Sequence, residues 1–211
     1  IFQKIPSDEH VIVIHCAANT DLDYCETNND CCFKDNVLKT NNLIEACRDR
    51  VFKFIFISST GVYGNYKKSM YAETDNTAPT TYHHKTKLIA ENFIREQIKN
   101  HLILRTGWLF SPQDHESNFI LRLTSRVSHD KNYEMKSDYE QYGCPTSVSL
   151  ILKIIQLSID AKISGTFNIV NDGYTNRLGY VRTILDAMNL QHIKLSGVKH
   201  SEFHRKAPVS L

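Results

Sequence analysis

This chain carries almost no excess charge, no long apolar run, no C-x-x-C motif and no internal repeat. Lys and Arg total 25 against 23 Asp and Glu, a net charge of +2. That balance offers no electrostatic footprint for nucleic acid or an anionic membrane surface, so neither is expected as a partner. No apolar stretch approaches the roughly eighteen residues that a membrane helix needs. The opening residues, Ile1-Phe2-Gln3-Lys4-Ile5-Pro6, lack a charged segment followed by an apolar core, so no signal peptide is visible. The six cysteines (Cys16, Cys25, Cys31, Cys32, Cys47 and Cys144) include no C-x-x-C. They are expected to be free thiols in a reducing cytosol, which makes the expected location cytoplasmic. His15, Cys16, Cys25 and Cys31-Cys32 match no zinc spacing, so no metal is expected. There is no low-complexity tract and no clear linker.

What remains is ordinary globular material: 211 residues, 41% hydrophobic and 23% charged. Such a chain suits one domain, or one domain plus a small lobe. Val11-Ile12-Val13-Ile14-His15-Cys16 is nearly continuous in apolar character, as in a strand buried on both faces. It ends at Ala17-Ala18-Asn19-Thr20, small residues that allow close approach to the backbone. A helix is predicted from about Asn28 to Arg48, and a second strand over Phe52–Ile57. A long helix capped by Thr80 or Thr81 should run to about Lys99, followed by a third strand over His101–Arg105.

Beyond Trp108 the pattern loosens. Helices are expected over Asn118–Val127, Thr146–Ile159 and Arg177–Met188, with strands over Tyr133–Lys136 and Thr166–Val170. His192–Leu211 reads as irregular. Alternating strands and helices predict an α/β fold with a parallel sheet and helices on its faces. Right-handed crossovers then align Ala17–Thr20, Ser58–Thr60 and Arg105–Trp108 along the carboxyl edge, where ligands bind in such sheets.

The stretch from Phe52 to Glu91 holds the chemistry. Strand Phe54-Ile55-Phe56-Ile57 runs into Ser58-Ser59-Thr60-Gly61-Val62-Tyr63-Gly64. A polar loop leads to Thr81-Tyr82-His83-His84-Lys85-Thr86-Lys87-Leu88-Ile89-Ala90-Glu91. A hydroxyl at a strand end, with a proton donor one helical turn before a lysine, suits carbonyl reduction.

These segments resemble the extended short-chain dehydrogenases/reductases (the NAD-dependent epimerase/dehydratase superfamily) that act on nucleotide sugars. Within that superfamily the likeness is to the dTDP-4-dehydrorhamnose reductase branch. Val11–Thr20 with Cys25-Glu26 resembles the fourth strand and the alanine-rich turn beside the nicotinamide cofactor. Asn36, Asn42 and Leu43 sit where the following helix carries its asparagine and leucine. Ser58-Ser59-Thr60 with Val62-Tyr63-Gly64 resembles the active-site strand end. Arg105-Thr106-Gly107-Trp108-Leu109-Phe110 with Asn118-Phe119 resembles the substrate-side strand end. Asp138 to Thr146 is similar to a D-x-Q-x-G-x-P-T loop with one extra residue. Gly165–Ile169 looks like the late strand, and Arg205 with Pro208 the C-terminal Arg-Pro segment.

The resemblance implies a Rossmann-like parallel sheet with helices on both faces, lacking its first strands, plus a small C-terminal substrate lobe. Residues 1–110 would be a partial cofactor-binding domain, and 111–211 mainly a substrate-binding lobe interwoven with it. It implies reduction of a nucleotide-linked 4-keto sugar with NADPH or NADH. Ser59 would position the carbonyl. Lys87, with Ala17, Ala18, Asn19 and Thr20, would hold the cofactor. Ser59, Thr60, Trp108, Asn118 and Arg205 would line the substrate. The sugar, the choice of nicotinamide and the oligomeric state are left open, a homodimer being one option.

Two features depart from the family pattern. No G-x-x-G-x-x-G occurs, although the family's opening βαβ holds the pyrophosphate there. The expectation is a fragment of a longer protein, the alternative being a degraded cofactor site. The family's Tyr-x-x-x-Lys is also displaced. Lys87 with Leu88 and Glu91 matches the family lysine, which puts His83 at the tyrosine position. Tyr82, five residues from Lys87, points about 140° away in a regular helix. His83 and Tyr82 are therefore both candidate proton donors, while His84 and Lys85 are expected as surface charge. A non-catalytic nucleotide-sugar or NAD(P)-binding relative is the alternative, and an epimerase the second. Thr60-Gly61 supplies no acid beside Ser59, which counts against dehydration.

Overall fold

The computed structural model describes residues 11–47, 49–67, 69–111, 119–129 and 133–208. Those residues form two compact units. One comprises the described residues up to Thr106 with Lys153–Ile169 and the segment 205–208; the other comprises Gly107–Leu152 and Val170–His204. Among the described residues no helix is long and apolar enough to cross a membrane.

The first unit is built on a four-stranded sheet in the order β1 (Val11–His15), β2 (Val51–Ser59), β3 (His101–Thr106), β8 (Gly165–Ile169). Every pairing is parallel. This α/β architecture agrees with the alternation of strand and helix patterns in the sequence. Helices α3 (Lys39–Cys47) and α4 (Tyr82–Gln97) cover one face. There Ile44, Cys47, Ala90, Ile94 and Ile98 close over Phe54, Phe56 and Ile103. Apolar contact of this kind is the main favourable term holding helix to sheet.

Strand β1 departs from the expectation of burial on both faces. Its residues alternate, and Ile12 and Ile14 stay 42% and 49% exposed. Helices α3 and α4 lie over the Val13 side, and Ile12 and Ile14 on the other side keep their contact with solvent. The helix expected from Asn28 to Arg48 is also divided. α1 (Leu22–Thr27) stops at Asn28, α2 (Asn29–Phe33) restarts, a π turn spans Lys34–Leu38, and α3 follows. Extra-residue turns of this kind cluster at functional sites. The break at Asn28 brings Cys25 and Cys32 to a Cα separation of 5.2 Å, and they form a disulfide. This corrects the expectation of six free thiols: Cys16, Cys31, Cys47 and Cys144 are free, and this pair is not.

In the second unit α5 (Phe119–His129) and α6 (Arg177–Ala187) enclose a separate core of Leu123, Val127, Tyr180, Val181, Ile184 and Leu185. Short strands β4 (Trp108–Phe110) and β7 (Pro145–Ser147) pair in parallel, and β6 (Tyr142–Gly143) pairs with β9 (Thr175–Asn176) antiparallel. The closing segment is not wholly irregular. Leu195–Val198 is a strand, β10, lying parallel to β5 (Met135–Asp138). Its Leu-Ser-Gly-Val run is too short and too polar for alternation to reveal it.

One polar cluster fastens α4 to the sheet. Glu91, fully buried, receives two bonds from Arg105: Nε to Oε1 at 3.1 Å and NH2 to Oε2 at 2.7 Å. Ser58 donates to the same carboxylate at 2.5 Å, and Arg95 at 3.0 Å. Arg105 also donates to the Tyr63 hydroxyl (2.8 Å), which donates to Asn168 on β8 (2.8 Å). Removing one partner of such a pair strands a buried charge, at about 3–5 kcal/mol. Glu91→Ala should therefore lower unfolding free energy by about that amount in urea titration, whereas a change below about 1 kcal/mol would deny the cluster this role.

Candidate active site

Strand β2 ends at Ser59, whose side-chain oxygen accepts the Gly61 N–H at 3.1 Å and caps a 3-10 turn over Thr60–Tyr63. That bond uses an oxygen lone pair and leaves the Ser59 hydroxyl proton available to donate. Thr60 donates its hydroxyl to the Thr106 carbonyl at 3.3 Å, tying the ends of β2 and β3 together. Gly64 closes the turn with φ of +74°, a conformation that favours glycine.

Across from this strand end, α4 begins at Tyr82, with Thr81 as its N-cap accepting from the His84 N–H. The helix is regular from its first residue. His83, Lys87 and Glu91 therefore share one face, and Tyr82 points away from it by about 140°. Two contacts set the helix against the strand end: Glu91 holds Ser58, and the His84 ring fills the space beside Gly61, where an added Cβ would lie 2.2 Å from it. These contacts bracket Lys87 on the helix and Ser59-Thr60 on the strand. His84 is thus buried, not surface charge as expected, while Lys85 is exposed.

The turn after β1 is held by side chains. Asn36, brought inward within the π turn, accepts the Asn19 N–H (2.6 Å) and donates to the Asn19 carbonyl (3.0 Å). Its second N–H goes to Thr86 on α4 at 3.0 Å. His83 Nδ1 lies 2.9 Å from the same Asn19 carbonyl. A carbonyl can only accept, so Nδ1 carries the proton and Nε2 is a lone pair. Behind this turn, His15 Nε2 donates to Thr40 (2.8 Å), whose hydroxyl donates to the Asn36 carbonyl (2.8 Å). Ala17 and Thr20 are exposed and Ala18 is half-buried.

Electrostatics follow from burial. Loss of hydration, then the Lys87 charge, depress His83 to about 4, against the small opposing pull of the Asn19 carbonyl. His15 falls to about 4 through burial and Lys87, and His84 to about 3 through burial, His83 and Lys87. Lys87 is itself lowered to about 8 by burial, with Glu91 and Cys16 pulling it back up. Its Nζ lies over the Phe56 ring at 3.9 Å.

The remaining candidates are scattered. Trp108, in the second unit, packs beside Gly143 and stacks on the Arg177 guanidinium at 3.7 Å, with Tyr180 at 6.0 Å. Arg177 was not singled out in the sequence. Only its place at the start of a helix was legible there. Arg205 is exposed, in a segment fastened to α1 by Lys206 and Ala207 N–H groups donating to Asp23. Asn118 lies outside the described residues. Among the described residues no three His, Cys, Asp or Glu groups are placed to hold a metal.

Three histidines are buried neutral with pKa values below 6.5, so the unfolded chain binds more protons than the native one between pH 6.5 and 4. Stability should therefore be full above about pH 6.5 and fall as the solution is acidified toward 4. The urea midpoint measured across that range checks this, and a flat profile would refute it.

The chain matches the model of the RmlD substrate binding domain over residues 2–210. It is 25% identical over 204 residues to the dTDP-4-dehydrorhamnose reductase of Mycobacterium tuberculosis, covering 94% of this chain and 66% of that protein. Among solved structures, a dTDP-4-dehydrorhamnose reductase from Clostridium acetobutylicum superposes with a TM-score of 0.86 at 28% identity, covering 93% of this chain and 68% of that one. The Bacillus anthracis dTDP-4-dehydrorhamnose reductase in complex with NADP gives 0.86 at 26%, with the same coverage. The chain thus spans no more than about two thirds of the length of these relatives. With the parallel sheet, the strand-end hydroxyl and the lysine helix in place, the chain belongs to the RmlD substrate binding domain family of the extended short-chain dehydrogenases/reductases.

Proposed function

We propose that the protein reduces a nucleotide-linked 4-keto sugar at the expense of NADPH or NADH. The observation that carries this is the bracketing of Lys87 and Ser59 by the Glu91–Ser58 bond and the His84–Gly61 packing. It sets the helix that carries Lys87 against the strand end that carries Ser59, which supports a shared site. The relatives' names and the NADP complex point the same way.

The residues fit a nicotinamide nucleotide. Lys87, its Nζ resting on the Phe56 ring, has three N–H donors suited to the ribose hydroxyls of such a cofactor. Ala17 and Ala18, with little side chain, lie at the carboxyl end of β1, where open α/β sheets take their ligands. When bound, the reduced cofactor supplies the hydride. Ser59 donates to the sugar carbonyl oxygen, fixing its position and stabilising the charge that develops there. Thr60, its hydroxyl already engaged, shapes the wall beside it. The first unit serves as the cofactor-binding domain and residues beyond 110 mainly as the substrate lobe. Trp108, held between Arg177 and Gly143, offers a flat surface for sugar or base; Arg205 and Asn118 are each assigned to the diphosphate on the family resemblance alone.

The test is oxidation of NADPH or NADH by the complete native protein with a dTDP-linked 4-keto sugar. Ser59→Ala should lower kcat by about a hundredfold. Tyr82→Phe, on the wrong helix face, should change it less than about threefold. Cofactor binding without turnover would favour the alternative of a non-catalytic nucleotide-binding relative.

A further inference from the structure

We propose that the Cys25–Cys32 disulfide is a redox-modification site that governs cofactor binding: oxidised, it holds the Asn19 turn in its binding form, and a low-molecular-weight or protein thiol releases it. The proposal rests on the reading of that turn as part of the nicotinamide site.

The pair sits on a helix that other parts of the first unit depend on. α1 is six residues long, too short to be stable alone in water, so its place is set by what it is tied to. Three of its residues make those ties. Asp23 accepts the Lys206 and Ala207 N–H groups, Cys25 is bonded to Cys32 on α2, and Glu26 accepts the Tyr82 N–H at the first residue of α4. Only the second is covalent.

Both sulfurs also face the polar cluster that holds the turn. Cys25 Sγ lies 3.9 Å from the Asn19 carbonyl oxygen. Cys32 Sγ lies 3.4 Å from Asn36 Nδ2 and 3.9 Å from Thr86 Oγ1. These groups bind one another: Asn36 donates to the Asn19 carbonyl and to Thr86, and His83 donates to the same carbonyl.

Oxidation state decides what the sulfurs do there. A disulfide sulfur carries no proton, so the Asn19 carbonyl spends its two lone pairs on Asn36 and His83. A thiol is a donor. After reduction Cys25 presents a third donor to an acceptor that is already full. The two sulfurs also move from bonded to non-bonded separation, and neither side chain has solvent exposure into which to retreat. The displacement falls on the two short helices and on the Asn36 amide beside them. Thr27 to Cys31, between the paired cysteines, is exposed, and local opening of helices this short admits a thiol to the buried bond.

The step balances. A reductant thiolate attacks one sulfur, the S–S bond breaks, and the leaving sulfur takes a proton. A second reductant thiol resolves the mixed disulfide, so the protein gains two electrons and two protons while the reductant becomes a disulfide.

The experiment equilibrates the complete native protein in glutathione buffers from fully oxidised to fully reduced. Each sample is alkylated for mass mapping, and binding of NADPH and of NADH is measured by calorimetry. Cys25 and Cys32 should resist alkylation in the oxidised buffer and each take one label in the reduced one. The cofactor Kd should rise about fivefold or more on reduction and return on reoxidation. Combining Cys25→Ser with Cys32→Ser should give the weaker Kd in every buffer, whereas Cys31→Ser should keep the full response. The wild-type comparison needs no substitution and stands even if the double variant does not fold. Equal Kd in the two forms, or labelling of Cys25 and Cys32 in excess oxidised glutathione, would overturn the proposal. So would a response that survives in the double variant or vanishes in Cys31→Ser. Absence of cofactor binding in both forms would sink the nicotinamide reading instead, and hydrogen exchange then decides the switch. The Asn19 amide, held by Asn36 in the oxidised form, should exchange at least about tenfold faster once the disulfide is reduced. Equal protection would overturn the switch on its own.

Discussion

A buried carboxylate holds the candidate site together. Glu91 sits without solvent contact and is tolerated only because four donated bonds converge on its two oxygens, from Ser58, Arg95 and both arms of Arg105. An uncompensated charge at such a position would cost several kcal/mol, so the arrangement is closer to all-or-none than to a gradual preference. Ser58 immediately precedes the strand-end hydroxyl, and Glu91 lies one turn beyond Lys87. The spacing between hydroxyl and lysine is therefore set by a bond that neither of them makes. Tyr63 and Asn168 extend the same network to β8, so the sheet and α4 act as one frame.

A second, smaller constraint governs the other side of the site. The turn after β1 is an open backbone segment, yet the Asn19 peptide is held at both its N–H and its carbonyl by the Asn36 amide. That reach depends on the π turn, which inserts a register change into the helix and points Asn36 inward. His83 adds the last donor. A tyrosine in its place could not make this bond through a ring nitrogen, so the histidine changes what the residue does as well as how acidic it is. The ring becomes part of the scaffold that holds the Asn19 turn.

Much of this frame was legible in the residues. The apolar periodicity of Leu88, Ile89, Phe93 and Ile94, with Thr81 ahead of it, announces α4 and its cap, because capping and amphipathicity are local. Strands β2 and β3 stand out as apolar runs, and Ser59 and Lys87 are picked out by the family resemblance at a strand end and on a helix face. Counting residues put Tyr82 off the Lys87 face but left it beside His83 as a candidate donor. Glu91 was visible only as a register marker beside Lys87. Its partners Ser58 and Arg105 lie 33 and 14 residues away, and no local pattern couples them. β10 was hidden because a four-residue strand paired at a distance of some sixty residues leaves almost no periodic trace. The Cys25–Cys32 disulfide and the burial of His84 were missed for the same reason: each depends on a neighbour brought close by a break or a packing contact.

By itself, then, the sequence determined the alternation of strands and helices, the cap and face of α4, and which side chains of that helix could work together. Those properties come from local sterics, hydrogen bonding and the period of apolar residues, which act over a few positions. Tertiary structure alone decided the burial and hydrogen-bond partner of His83, the burial of Lys87 and the spacing between Ser58 and the lysine helix. Each depends on burial and on partners distant in the chain, and the energy of a charge or a hydrogen bond is set by what surrounds it in space.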